Sequence, residues 1–249
     1  MHTPDLTNQF FDINKLPPQE GILVFPISMS RISNSQSAKR CWEYMKIFSP
    51  KKIIKPLVGL NVIYGDYLYF NSDEKAAILK NRFTALVHSH KNEFIKIISK
   101  NPLYIEQAFS FSTWNQAVLE CKDYTNLLGK LKKLYKKDKK FQTYLNDDLE
   151  KSGKKKLDEN QLNFFLEETL LYYLIVKGKT HLRNQYIHGH EKWVLWCYPG
   201  KPLKSQIYLI QKNIFQSHNS KNKFENCFYD LEEKKLYDFS RIDLGTLDL

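Results

Sequence analysis

The chain has no apolar run long enough to cross a bilayer; the longest uninterrupted one, Leu170 to Val176, is far short of the roughly 18 residues a spanning helix needs. Residues 1–20 carry Asp5 and Asp12, end near Pro17-Pro18 and contain no apolar stretch of secretory-leader length. Cysteine is scarce, with 4 in 249 residues, and Cys41, Cys121, Cys197 and Cys227 fall at no zinc-ligand spacing. That usage suits free thiols in a reducing cytoplasm. Loops that cradle phosphate are also missing, since neither G-x-x-x-x-G-K-[ST] nor G-x-G-x-x-G occurs. His181, His188 and His190 with Glu191 offer only a loose set of ligands, so no metal is expected.

Acidic residues are outnumbered: 27 Asp+Glu stand against 38 Lys+Arg, for a formal charge of +11. Such a balance points to a polyanionic partner, nucleic acid or an anionic membrane surface. With 42% hydrophobic and 26% charged residues the chain can bury a core of ordinary size, which excludes disorder of the whole.

The order of elements reads as α/β. Residues 1–20 are expected to form an irregular arm and 21–249 a single domain. Gly21 to Ile27 is a continuous apolar run, as in a strand covered on both faces. A serine-rich loop leads to a helix near 35–48, and Ile53 to Ile63 reads as the next strand. Strand, helix, strand at this spacing predicts a parallel sheet with a right-handed crossover. Further along, the pattern predicts a helix over 73–100, a strand over 103–112, helix in two pieces over 114–151, and a helix from 158 to 176. The last strands are expected at 192–198 and 206–211, with a polar tail from 216 and a short element near Cys227–Tyr229.

Positive charge gathers in two helical segments. Lys75, Lys80, Arg82, Lys91, Lys96 and Lys100 share their stretch with one acid, Glu93. At about 100° per residue, Lys75, Arg82, Lys96 and Lys100 fall within an arc of roughly 60°. Residues 130–156 hold 11 lysines and four acids. Either segment alone is an ordinary solvated face; the pair together suggests a polyanion lying across both, through salt-sensitive phosphate contacts.

Three places could carry chemistry. Ser28 ends the first strand just before a helix, the crevice where doubly wound sheets bind ligands. It is no hydrolase elbow, because Pro26 and Ser30 replace the glycines of G-x-S-x-G. Glu168 lies on the apolar stripe of Phe164, Leu171, Tyr172 and Ile175, where an ionised carboxylate is costly unless paired or used. Glu167, on the adjacent face, competes with it. Tyr198 precedes Pro199, which stops a strand ladder and leaves the phenol at the strand's end.

Taken in order, Leu23-Val24-Phe25-Pro26-Ile27-Ser28, Ser35-Gln36, Asp123-Tyr124, Tyr135, Asp138, Phe141, Glu168 and Tyr198-Pro199 resemble the cyclodipeptide synthases, over about residues 21–211. Tyr-Pro at this place is similar to one of the family's two subfamilies, with Arg31 where the other carries asparagine. The resemblance implies a single Rossmann-like domain, a central parallel sheet flanked by helices, like the catalytic domain of tyrosyl- and tryptophanyl-tRNA synthetases. It implies that two aminoacyl-tRNAs are joined into a cyclic dipeptide by ping-pong acyl transfer, first through an aminoacyl-Ser28 ester and then through a dipeptidyl-enzyme. Glu168 would anchor the amino group and move protons, Tyr198 would orient the acyl groups, and Arg31 would position the tRNA end or the loop. The first-substrate pocket would be lined by Val24, Pro26, Leu60, Tyr124, Leu171 and Trp196, and would suit a small or medium side chain. Phe164 stands where the family has a tyrosine, and Tyr172 is the candidate for the missing hydroxyl. Lys75, Arg82, Lys96 and Lys100 would bind tRNA. Adenylate-forming motifs (HIGH-like, KMSKS-like) are missing, so neither ATP nor a metal is expected; nor is a membrane partner. A cytoplasmic monomer is expected, with an oligomer left open. The competing readings are a non-enzymatic RNA-binding domain on this fold, with Ser28 a capping serine, and a soluble α/β protein whose lysines serve only solubility.

Overall fold

The computed structural model describes residues 21–45, 58–66, 76–100, 109–151, 159–177, 193–215 and 224–245. Their centre is a six-stranded sheet in the order β3-β2-β1-β4-β5-β6. The strands are β1 (Gly21–Ile27), β2 (Val58–Tyr64), β3 (Phe109–Thr113), β4 (Trp193–Tyr198), β5 (Cys227–Asp230) and β6 (Lys235–Asp238). All neighbours run parallel except β5 and β6, which form an antiparallel hairpin.

β1 is apolar throughout because it is covered twice. Ile22 and Val24 point into one core, and Leu23, Phe25 and Ile27 into the other. Full burial of such side chains contributes ~1.5–3 kcal/mol each, which favours this strand as the sheet's axis. Helices α1 (Ala38–Met45) and α2 (Ala76–Ser99) cover the Leu23 side. The Val24 side is covered by α3 (Trp114–Glu120), α4 (Tyr124–Lys137), α5 (Lys139–Lys151), α6 (Glu159–Val176) and α7 (Lys204–Lys212). β1 is flanked by β2 on one side and β4 on the other, so strand order reverses between β1 and β4. A crevice forms at the carboxyl ends of strands at such a reversal.

Three expectations are corrected. Residues 206–211 are helical, within α7, and form no strand. Side chains from Ser205 to Ile210 are all buried, so no polar face marks the helical period. The start is fixed from a distance: both carboxylate oxygens of Asp148 on α5 accept the backbone N–H groups of Lys204 and Ser205, at 2.9 Å each. Asn213 ends the helix in the left-handed conformation. Second, residues 114–151 form three helices. Asp138 starts the third, accepting from the N–H groups of Lys140 and Phe141 at 3.0 and 3.2 Å. Third, the polar tail contains a whole hairpin. Asp230 Oδ1 accepts from the N–H groups of Glu232 and Glu233, folding the turn into β6. The parallel sheet therefore carries an antiparallel edge. Residues 1–20, with the expected arm, lie outside the described residues, as do 53–57 and 103–108 of the expected strands.

Candidate active site at the switch point of the sheet

A cavity of about 280 Å³ opens where β1 and β4 end. β1 and the turn after it supply Pro26, Ser28 and Arg31; α6 supplies Phe164, Phe165 and Glu168; β4 and its turn supply Trp196, Tyr198 and Gly200. Trp114, Phe228 and Gly65 close the apolar wall, and Asp148, Lys151, Lys201, Leu203 and Gln206 complete it.

Ser28 is half-buried at the tip of β1. Its hydroxyl lies 2.9 Å from that of Ser30, and its carbonyl accepts the Arg31 N–H at 3.0 Å. That turn brings the Arg31 guanidinium over the Tyr198 ring, 5.6 Å from its centroid, a cation–π contact across the cavity mouth. Tyr198 is held by its main chain: its carbonyl accepts the Leu231 N–H at 3.0 Å. Two residues on, Gly200 takes φ +124°, which side-chain-bearing residues avoid, and donates its N–H to Asp230 Oδ1 at 3.2 Å. Asp230 thereby ties the β4 turn to β5.

The two glutamates differ in placement. Glu168 is half-buried and lines the cavity, while Glu167 is 3% exposed and lies outside its lining. Phe164, one turn before Glu168, also lines the cavity. Five residues expected in the pocket do not: Val24, Leu60, Tyr124, Leu171 and Tyr172 are buried in packing elsewhere. Leu60 even faces the opposite core. It pairs with Leu23, and the two-residue period of the strand sends both toward α1 and α2. The residue on the cavity's side is Asn61, bonded to Ser110 and Ser112 at 2.6 and 2.9 Å. Tyr172 packs edge-on against Trp196, with ring centroids 5.0 Å apart. It is wholly buried, which pushes its phenol well above the usual range, and it is not among the residues that line the cavity.

Asp148 was missed by sequence reasoning. It lies beside Leu145 and Leu149 on the buried stripe of α5, the signal that singled out Glu168. Burial pushes its carboxyl up to about 6, against the opposing pull of the Ser205 and Lys204 amides. Trp114, Gly65, Phe228 and Gln206 carried no local signal.

Arg82 and Lys96 are exposed on α2, and Lys100 is exposed in the turn directly after it; Lys75 lies outside the described residues. The second basic segment, on α4 and α5, belongs to the opposite layer of the sheet. The sheet therefore lies between the two segments. The four cysteines are free and buried, and burial raises the thiols of Cys41, Cys197 and Cys227, so none of these three is a thiolate nucleophile. Among the described residues no group of three or more His, Cys, Asp or Glu could hold a metal, and no helix is long and apolar enough to cross a membrane. His181, His188, His190 and Glu191 lie outside them.

The fold and site together define an α/β protein of the doubly wound type with a polar constellation at its switch point. No model of a protein family matches the sequence, and no curated protein matches it. Solved structures do. One of a cyclodipeptide synthase from Fluoribacter dumoffii is similar over 83% of this chain and 87% of that chain, at 13% identity and a TM-score of 0.53. A protein of Mycobacterium tuberculosis, described as showing that cyclodipeptide synthetases are related to type I tRNA synthetases, is similar over 76% of this chain and 78% of that chain. It is 14% identical, with a TM-score of 0.47. AlbC, a cyclodipeptide synthase from Streptomyces noursei, covers 72% of this chain and 83% of its own, at 13% identity and a TM-score of 0.45. The first of these carries the likeness, and at that identity it establishes a shared fold.

Proposed function

We propose that the protein is a cyclodipeptide synthase of the Tyr-Pro kind, making a cyclic dipeptide from two aminoacyl-tRNAs. The observation that carries this reading is the convergence of Ser28, Arg31, Glu168 and Tyr198 on one cavity from three distant parts of the sequence. A serine that served only as a helix cap would need none of these partners.

In this reading the Ser28 hydroxyl attacks the ester carbonyl of the first aminoacyl-tRNA. The acyl–oxygen bond to the tRNA breaks, the serine proton passes to the departing ribose hydroxyl, and an aminoacyl-serine ester remains. The amine of that ester attacks the carbonyl of the second aminoacyl-tRNA, releasing the second tRNA and leaving a dipeptide on Ser28. The terminal amine then attacks the seryl ester, closes the six-membered ring and returns the proton to Ser28. Glu168 accepts the ammonium group and moves protons, a role that requires reach into the cavity. Tyr198, with Arg31 across its face, orients the acyl groups. Pro26, Phe164 and Trp196 contact the first side chain. Arg82, Lys96 and Lys100 meet the tRNA backbone on the α2 layer. No step needs ATP or a metal, because the tRNA ester already holds the activated acyl group.

Expression in a bacterial host, with mass spectrometry of the medium, tests the reading. Diketopiperazines should appear with the wild type and vanish with Ser28→Ala, while tRNA affinity changes by less than about twofold, since phosphate contacts supply it. Undiminished product from Ser28→Ala refutes the acyl-enzyme. RNA binding with no product from the wild type favours the non-enzymatic reading.

A further inference from the structure

Gln36 lies in the turns between β1 and α1 and is 0% exposed. An amide is buried at a cost of several kcal/mol unless its polar groups are met. Here they are met from several sides. Oε1 accepts the Ser28 N–H at 2.8 Å, and Nε2 donates to the Pro26 carbonyl at 2.9 Å. The main-chain N–H donates to the Arg31 carbonyl at 2.9 Å. The main-chain carbonyl accepts from His90 Nε2 at 2.9 Å and from the Cys41 thiol at 3.2 Å.

The His90 tautomer follows from these partners. A carbonyl only accepts, so Nε2 carries the proton, and Nδ1 accepts from the Tyr64 hydroxyl at 3.0 Å. Burial holds His90 below its usual range, which keeps the ring neutral. The ring also stacks on Phe94, with centroids 6.2 Å apart. Gln36 is thus a fixed post, and its side chain grips β1 on both sides of Ile27. Those two bonds set the peptide planes that lead into Ser28, and with them the direction in which the serine side chain leaves the strand. The Ser28 N–H, already engaged, is not a donor for an oxyanion.

We infer that Gln36 is the positioning residue for Ser28, aiming its hydroxyl into the cavity, with His90 and Tyr64 anchoring the post from beneath. This inference rests on the acyl-transfer reading above, and the experiment separates the two. Gln36→Met keeps length and loses both side-chain bonds. Gln36→Glu reproduces both bonds only while the carboxyl is protonated; ionised, it can only accept, and faces the Pro26 carbonyl.

The measurements use the full chain and total bacterial tRNA charged with mixed amino acids: the single-turnover rate of Ser28 acylation by intact mass, tRNA affinity, and amide exchange at Ser28. Gln36→Met should acylate about a hundredfold more slowly, as expected for a nucleophile displaced by about 1 Å. Its tRNA affinity should stay within about twofold, and its Ser28 amide should exchange at least ~tenfold faster. Gln36→Glu should approach the wild-type rate at low pH and fall away from it as pH rises. Wild-type acylation matched by folded Gln36→Met overturns the inference. If Gln36→Met does not fold, a Gln36→Glu rate that tracks the wild type across pH overturns it instead. A wild type that is never acylated overturns the acyl-transfer reading, and with it the inference; unchanged Ser28 exchange in Gln36→Met overturns the inference alone.

Discussion

Asp148 joins stability to the shape of the cavity, and its substitution has a calculable effect. Its carboxyl is pushed up to about 6 in the folded chain, against an ordinary value near 3.8. The folded state therefore binds the proton more tightly than the unfolded state between those two values. Where the native state holds more protons, stability falls as pH rises. Each unit separating the two values is worth about 1.4 kcal/mol, and because the unfolded carboxyl is already more than half ionised at about pH 4, raising pH from about 4 to 7 should remove about 2.4 kcal/mol through this group. Asp148→Asn has no such titration and keeps one carbonyl acceptor for the first turn of α7. Urea unfolding of both proteins at several pH values gives the difference directly. The wild type should lose about 2.4 kcal/mol relative to Asp148→Asn over that range, nearly all of it below about pH 6.5. Parallel pH curves would refute the burial argument. Asp148→Ala, which leaves the Lys204 and Ser205 N–H groups without their acceptor, should destabilise at every pH by about 1–3 kcal/mol.

Other perturbations test the site. Glu168→Gln should abolish product with little change in Tm, whereas Glu167→Gln should lower Tm by a few degrees and retain turnover; product formation and thermal melting of both decide this, and the opposite pattern would return the role to Glu167. The double substitution Lys96→Glu, Lys100→Glu should weaken tRNA binding and flatten its dependence on log salt by about two phosphate contacts, roughly 1.8 in slope. Unchanged affinity and slope would remove α2 from the RNA-binding surface.

Much of the frame was legible because β1 is an unbroken apolar run and α6 an 18-residue helix rich in apolar residues. Ser28 and Tyr198 follow from the same logic, since each closes a strand at the end where such sheets bind ligands. What local pattern did not show was set by distant partners. α7 depends on Asp148, 56 residues before Lys204, and its fully buried flank conceals any period. Leu60 was placed one position from the side chain facing the cavity's layer, and in a strand that single step reverses the face. Tyr172 shares a stripe with Glu168, yet one further turn carries it under β4 and β5, among Trp196 and Phe228. The two basic segments are adjacent as charge counts along the chain, and only the sheet between them shows that they face apart.

The central claim is that Ser28 becomes esterified. Incubating the wild-type protein with total bacterial tRNA charged with mixed amino acids, quenching in acid and weighing the intact chain tests it directly. The account predicts a mass increase equal to one aminoacyl group, located at Ser28 by peptide mapping and missing from Ser28→Ala. An unchanged mass at saturating donor, or an adduct that persists in Ser28→Ala, would contradict it.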